Sequence, residues 1–483
     1  MTSMNHVRFG PTQSRRDFLF ESYLGLGGLA LVDLLAEDLG ASEEPVVDPL
    51  APKLPHMLRK AKRCIFLFME GGVSQMDTFE YVPSLQKLHG KRMPTNSGTT
   101  GAVGHLGAAP NRVIASPYKF ARYGDSGHWI SELFPHLATC ADELAWIHGI
   151  ELGSSNHAPA VYHALTGNMV PGSASVGSWV TYGLGTENQS LPGFVVVGQG
   201  MPAIGGAAQW SNGYLPAAYQ GTLFRNGETP IVNLKPRPDQ TLLRQRGELD
   251  LLRWLNKRHA GQRTATSELD GRIAAYEVAF KMQTEAPELI DLSGESEATK
   301  KLYGMDSDVT ATFGRQCLLA RRMVERGVRF VKLLHNKGKP WDQHGGIKGR
   351  LPRLCKEVDQ PVSGLLKDLR ARGLLDDTLV VWASEMGRTP WDSNLTQGDP
   401  GRDHNNYSLV MWMAGGDVRG GASYGKMDEW SLRSADEHVH IRDVHATLLH
   451  LMGLDQDRLR YLHAGRFDRL TDFGGRVIQE ILG

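Results

Sequence analysis

Cys64-Ile65-Phe66-Leu67-Phe68-Met69-Glu70-Gly71-Gly72 is the stretch on which the reading of this chain turns. Six apolar residues run without a break between Lys62-Arg63 and a glycine pair. A strand with one wet face alternates apolar and polar residues, whereas an unbroken run belongs to a strand covered on both faces. Runs of the same kind recur at 144–150, 194–197, 328–334, 379–383 and 408–414. Helical patterns lie between several of them, at 131–142, 314–326, 354–372 and 443–452. The alternation predicts an α/β fold of three layers, αβα, with a central, mainly parallel mixed sheet. Residues 200–293 behave differently, opening with Gly, Pro, Asn and aromatic residues and continuing with charged helical segments around 242–257 and 267–282. They are expected to form an insertion or cap on one domain spanning 56–483.

Composition narrows the partners. Lysine plus arginine number 53 and aspartate plus glutamate 53, so no bulk field recruits nucleic acid or an anionic membrane. Hydrophobic residues at 41%, with 55 glycines and 24 prolines, suit a globular chain with many ordered turns. Cys64, Cys140, Cys317 and Cys355 are far apart and show no CxxC spacing, which reads as buried thiols with one disulfide at most. At the start, Ser14-Arg15-Arg16-Asp17-Phe18-Leu19 precedes an apolar stretch at 24–35 that Gly25, Gly27, Gly28 and Asp33 soften. This resembles a twin-arginine export signal, and residues 41–55 have the proline and acidic content of a linker. The apolar stretch is too short for a stable membrane span. Residues 1–55 are therefore expected to be an address read by the twin-arginine export machinery, placing the protein in the periplasm or cell envelope.

In an open α/β sheet, ligands bind beyond the carboxyl ends of the strands, where loops converge without disturbing the core. Acids and histidines collect at those ends here. Glu70 and Asp77 follow the first run; a carboxylate set directly after a buried strand is desolvated unless something positive meets it, and a divalent cation is one such partner. A solvated turn acid is the alternative for either. After 144–150 come Ser154-Ser155-Asn156-His157 and a short helix containing His163. A helix start favours an anion such as phosphate or sulfate, though Ser or Asn there also serves as a plain cap. The 328–334 run leads to His335 and to Trp341-Asp342-Gln343-His344-Gly345-Gly346, where Asp and His two apart can both face one cation. The 379–383 run ends in Ser384-Glu385-Met386-Gly387-Arg388, whose arginine either grips an oxyanion or pairs with Glu385. Gly401-Arg402-Asp403-His404 sets a further histidine beside an acid.

Several of these segments match known motifs. The segment His157-Ala-Pro-Ala-Val-Tyr-His-Ala-Leu-Thr-Gly167 is similar to the sulfatase segment in which a modified cysteine begins a helix ending in Leu-Thr-Gly. Residues 379–387 are similar to the strand that ends in Ser-Asp-His-Gly or Ser-Asp-Asn-Gly, and 401–406 to the loop bearing the last metal-binding histidine. Residues 441–454 are similar to the helix written Asp-x-x-Pro-Thr-Leu-Leu-x-Leu-x-Gly. From about 62 to 454 the chain thus resembles the superfamily of alkaline phosphatases, sulfatases, nucleotide pyrophosphatases and cofactor-independent phosphoglycerate mutases. Within it the chain looks closest to the sulfatase-related domain of unknown function 1501 family. The resemblance implies an alkaline phosphatase-like fold and metal ligands at Glu70 or Asp77, at Asp342 and His344, at Glu385 and at His404. The chain departs from the pattern where His157 stands in place of the nucleophilic Cys, Ser or Thr, and where Glu385-Met386 replaces the usual pair of ligands.

The expected activity is hydrolysis of a sulfate or phosphate ester, small or carried on a glycan, with a divalent metal (Zn, Ca, Mg or Mn). His157 would act as a ligand or as a nucleophile, and Ser155, Asn156 and Arg388 would surround the substrate oxyanion. Two other readings stand beside it. One is a metal-containing envelope protein that binds sulfated or phosphorylated glycans without turnover; the other is a phosphoryl transferase or mutase working through His157 or Ser155.

Overall fold

Arg63–Met69 (β1) runs through the middle of a nine-stranded sheet. The computed structural model describes residues 48–92, 112–198, 204–225, 230–232, 234, 240–260, 267–336, 340–391, 398–436 and 438–483. The expected export signal, with Arg15 and Arg16, lies outside the described residues. The other strands of the sheet are Leu144–Glu151 (β2), Phe194–Gly198 (β3), Thr222–Arg225 (β4) and Phe330–His335 (β5). Thr378–Ala383 (β6), Leu409–Ala414 (β7), Ser423–Tyr424 (β8) and Val439–His440 (β9) complete it. Their order is β8-β2-β7-β6-β1-β5-β3-β4, with β9 also paired to β2. Every pairing is parallel except those of β7, which runs antiparallel to both β2 and β6. The sheet is therefore mixed and mostly parallel; the apolar runs predict its parallel part, and β7 makes it mixed.

The helices used below are, in chain order, Gln75–Thr78 (α1), His157–Thr166 (α2), Val176–Leu184 (α3) and Leu242–Ala260 (α4). Ser267–Ile290 (α5), Ala311–Glu325 (α6), Leu351–Ala371 (α7) and Ile441–Leu451 (α8) follow. Alternation along β1 sends Ile65, Leu67 and Met69 into one apolar cluster and Cys64, Phe66 and Phe68 into another. The first cluster is closed by α6 and α7, the second by α2, α3 and α8. Each leucine or phenylalanine fully buried this way contributes about 1.5–3 kcal/mol, which is why the unbroken runs and not the loops set the architecture. The four cysteines are free and buried.

Two compact units divide the chain: Pro49–Asp239 with Ala265–Gly483, and Met1–Asp48 with Gln240–Thr264. The described helix of the second unit, α4, is a largely polar helix carrying (i, i+4) ion pairs from Arg244 to Glu248 and from Arg246 to Asp250. The stretch 200–293 is thus shared between the units, and in the larger one it supplies the edge strand β4 and the helix α5. Around 131–142, a strand at His128–Ser131 and a 3-10 turn at Leu137–Glu143 stand where a helix was expected. Pro135 explains the difference, since its ring removes an N–H and clashes with the carbonyl a turn earlier. No helix among the described residues is long and apolar enough to cross a membrane.

Strand direction brings the functional loops together. The strands β1, β2, β5 and β6 share one direction, so the loops that follow them emerge at one edge of the sheet. The reversed strand β7 begins at that same edge, and the segment 401–408 that enters it joins them.

Candidate metal centre

Close packing of loops at this edge starts with Gly71, whose φ of +122° suits glycine. A Cβ on Gly71 would fall 2.3 Å from the backbone nitrogen of Asp342, so only glycine lets the two loops touch. His335, at the end of β5, accepts the Trp341 indole N–H at 3.0 Å and faces Glu357 at 3.1 Å, which sets the turn leading to Asp342. The buried Glu385, just beyond β6, accepts the Gly71 N–H on both oxygens, at 2.8 and 3.0 Å, and the Ser384 hydroxyl at 3.2 Å.

Four side chains meet at Asp342, three from other loops and His344 from its own. His404 Nε2 and His344 Nε2 both lie 3.1 Å from its Oδ1, Arg388 donates to the same oxygen at 2.9 Å, and His157 Nε2 lies 3.1 Å from Oδ2. The two imidazoles His344 and His404 face each other, Nε2 to Nε2, at 3.0 Å. His404 donates its Nδ1–H to the Ser155 carbonyl at 2.8 Å, and His157 turns its Nδ1 to Glu385 at 2.8 Å. Both rings are thus oriented through Nδ1 while Nε2 points into the cluster, the arrangement that prepares an imidazole for a cation. Burial opposes ionisation of Asp342, but the three imidazole contacts and the Arg388 charge hold its carboxyl well below the usual carboxylate range. Burial also opposes protonation of His157, yet Asp342 and Glu385 outweigh it and push that imidazole up to about 9. His404 moves the other way, lowered by burial despite its contact with Asp342.

His157, Asp342 and His404 each offer a ligand atom within 4.8 Å of the others, and His344, Asp403 and His404 form a second such group. Two buried atoms test whether a cation fits. Among the described residues, His157 Nε2, though 3.1 Å from Asp342 Oδ2, makes no aligned hydrogen bond, and Glu70 Oε2 has no hydrogen-bond partner. Burial, together with the nearby Glu385 carboxylate, raises Glu70 to about 7. Unsatisfied carboxylate oxygen and clustered imidazole nitrogen are the donor chemistry of a divalent cation; Glu70 belongs to neither group and neighbours Glu385, which holds His157.

Residues 61–482 match the profile of a family described as Protein of unknown function (DUF1501). The chain belongs to this family. No curated protein matches the sequence. Among solved structures, the alkaline phosphatase from the Antarctic bacterium TAB5 is 9% identical over 83% of this DUF1501 chain and 99% of its own, with a TM-score of 0.35. A sulfatase from Pseudoalteromonas sp. is 12% identical over 82% of this chain and 68% of its own, at a TM-score of 0.31. The phosphonate monoester hydrolase of Silicibacter pomeroyi is 10% identical over 72% and 71%, at 0.32.

Not every residue expected at the site of this DUF1501 chain joins the cluster. Both oxygens of Asp77 go to Arg402, at 2.7 and 3.0 Å, with the Ser74 hydroxyl at 2.6 Å, so Asp77 belongs to a buried ion pair. Arg388 is 1% exposed and spends its donors on Asp342 and on the carbonyls of Gly71, Gly72, Trp341 and Arg402. It ties three loops together, which engages it away from the role of gripping a substrate oxyanion. Ser155 contributes its carbonyl, and the exposed Asn156 side chain makes no capping hydrogen bond to α2. Glu385 reaches the cluster through His157. Asp403 entered the sequence reading as the acid beside His404, and Gln209 and Lys332 are additions that it passed over. Only Lys332 left a signal, as a charge inside an apolar run.

A second histidine group lies at the other end of α2. His163 accepts the Gly153 N–H at 2.8 Å and packs on His440 with ring centres 5.1 Å apart, while His445 donates to the Ala164 carbonyl at 2.8 Å. Burial lowers all three from the ordinary 6.5, His163 to about 3 and both His440 and His445 to about 4. They fold uncharged. Below pH 6.5 the unfolded chain takes up protons that the native state refuses, so their contribution to stability is lost as pH falls from 6.5 towards 4. For the fully buried His445 this amounts to about 3 kcal/mol. Urea unfolding is expected to show His445→Gln losing about 3 kcal/mol less than wild type between neutral pH and pH 4. Equal losses would remove His445 from the account.

Proposed function

We propose that this chain is an exported, metal-dependent hydrolase of sulfate or phosphate esters. The observation that carries the reading is the meeting of His157, Asp342 and His404, with His344 at their edge, from loops that follow two different strands, β2 and β5, and precede a third, β7. A set of three imidazoles and a carboxylate favours a transition metal such as zinc or manganese over calcium or magnesium. Such a cation supplies Lewis acidity towards an ester oxygen and lowers the pKa of water. Asp342 neutralises charge at the centre, and Arg388 keeps it aimed there. Glu385 and the Ser155 carbonyl fix the His157 and His404 rings. The start of α2, with its partial positive charge, suits an oxyanion of the substrate. Both nitrogens of His157 face carboxylates, which supports a ligand role over a nucleophilic one and makes a phospho-enzyme route the weaker reading.

The test is elemental analysis of the purified protein followed by a screen of aryl sulfates and of phosphate mono- and diesters. Stoichiometric metal with product release supports the reading. Metal with glycan binding and no product would transfer the protein to the non-catalytic class, and a metal-free protein would end both. The export half is tested separately: Arg15→Lys with Arg16→Lys is expected to keep the protein in the cytoplasm, and unchanged localisation would remove the twin-arginine route.

A further inference from the structure

Lys332 sits in the centre of β5, paired in register with Phe66 of β1 and Val196 of β3, and is 1% exposed. A leucine there would gain from burial, whereas an ammonium loses its hydration. Architecture alone does not ask for that lysine. Its Nζ lies 4.8 Å over the Phe68 ring and donates to Gln209 Oε1 at 2.9 Å. The equally buried Gln209 in turn donates its Nε2 to Glu70 Oε1 at 2.8 Å and to the Ile204 carbonyl at 2.7 Å. Lysine only donates, so it dictates which end of the amide is oxygen and thereby turns the N–H end to Glu70. The Ile204 N–H adds a second donor to the same Glu70 oxygen at 3.3 Å. All these contacts fall on Oε1; Oε2 is buried without a partner among the described residues.

We propose that Lys332 and Gln209 are positioning residues: through the chain Lys332–Gln209–Glu70 they hold one oxygen of Glu70 and present the other as a donor to the cation of the metal centre. Burial pushes the Lys332 ammonium well below its usual range, and the fully buried Glu70 and Glu385 carboxylates pull the other way. This rests on the metal reading given above.

The test uses full-length protein stripped by chelator and titrated with Co2+, whose visible absorption reports the ligand set. Lys332→Met and Gln209→Leu are expected to bind Co2+ roughly 10–100-fold more weakly than wild type, with an altered absorption band. Thermal unfolding of metal-free Lys332→Met is expected to match or exceed wild type, because a costly buried charge is gone. Should either variant fail to fold, Gln209→Glu keeps a partner for Lys332 while removing the N–H that Glu70 accepts, and the same weakening is expected. Variants that bind Co2+ with wild-type affinity and spectrum overturn the positioning role alone. A wild-type protein that binds no Co2+ overturns the metal reading and takes this inference with it.

Discussion

Asp342→Asn is expected to strip the protein of its cation and to lower kcat/KM on its best ester substrate by at least about 1,000-fold, roughly 4 kcal/mol of transition-state stabilisation. Asp342 is the residue that His157, His344, His404 and Arg388 all approach within 3.1 Å, so its charge organises the group. Asparagine keeps the shape and one accepting oxygen, which leaves Arg388 a partner and the loop its path. What it removes is the negative charge that makes three inward-facing imidazoles tolerable beside a dication. His404→Ala is expected to follow closely, because it removes an inward nitrogen already oriented by Ser155. His344→Ala should cost less, since that side chain is 32% exposed and water can take its place. Metal content and steady-state hydrolysis, read beside far-UV circular dichroism, separate the variants. An Asp342→Asn protein that keeps its metal and its rate would overturn the centre as drawn here.

How much of this was legible follows from which forces act locally. The runs 64–69, 379–383 and 408–414 correspond within a residue to β1, β6 and β7, because a strand covered on both faces favours apolar residues on both sides of its pleat. β4 and β8 escaped notice, being short edge strands whose polar residues give no run. At the site, Asp342, His344 and His404 stood out because acid and imidazole recur beside strand ends. Their mutual distances depended on β7 running backwards, which no residue pattern announces. Glu70 and Asp77 were equivalent in sequence, both acids after the first strand. Their difference lies in partners far along the chain: Arg402, 325 positions from Asp77, and Gln209, 139 positions from Glu70. Arg388 misled for the same reason, its carbonyl partners being backbone groups that every residue owns.

The Asp77–Arg402 pair carries the second large effect. Arg402→Met is expected to cost about 3–5 kcal/mol of stability, because it leaves the carboxylate of Asp77 buried with only the Ser74 hydroxyl beside it. Arg402 also donates to the Ile114 carbonyl at 2.9 Å and offers its own carbonyl to Arg388 at 3.1 Å, so it anchors the segment that carries His404 two residues on. Replacing both members, Asp77→Leu with Arg402→Met, is expected to recover at least half of the loss, since the pair's desolvation cost disappears along with its attraction. Urea unfolding of the two single variants and the double variant measures this coupling. The same set decides what Asp77 is for. Asp77→Asn, less stable but still folded in the cold, is expected to retain full metal stoichiometry, because its oxygens are spent on Arg402. An Asp77→Asn protein of undiminished stability that had lost its metal would reverse the assignment, making Asp77 a ligand and leaving Arg402 without its structural role.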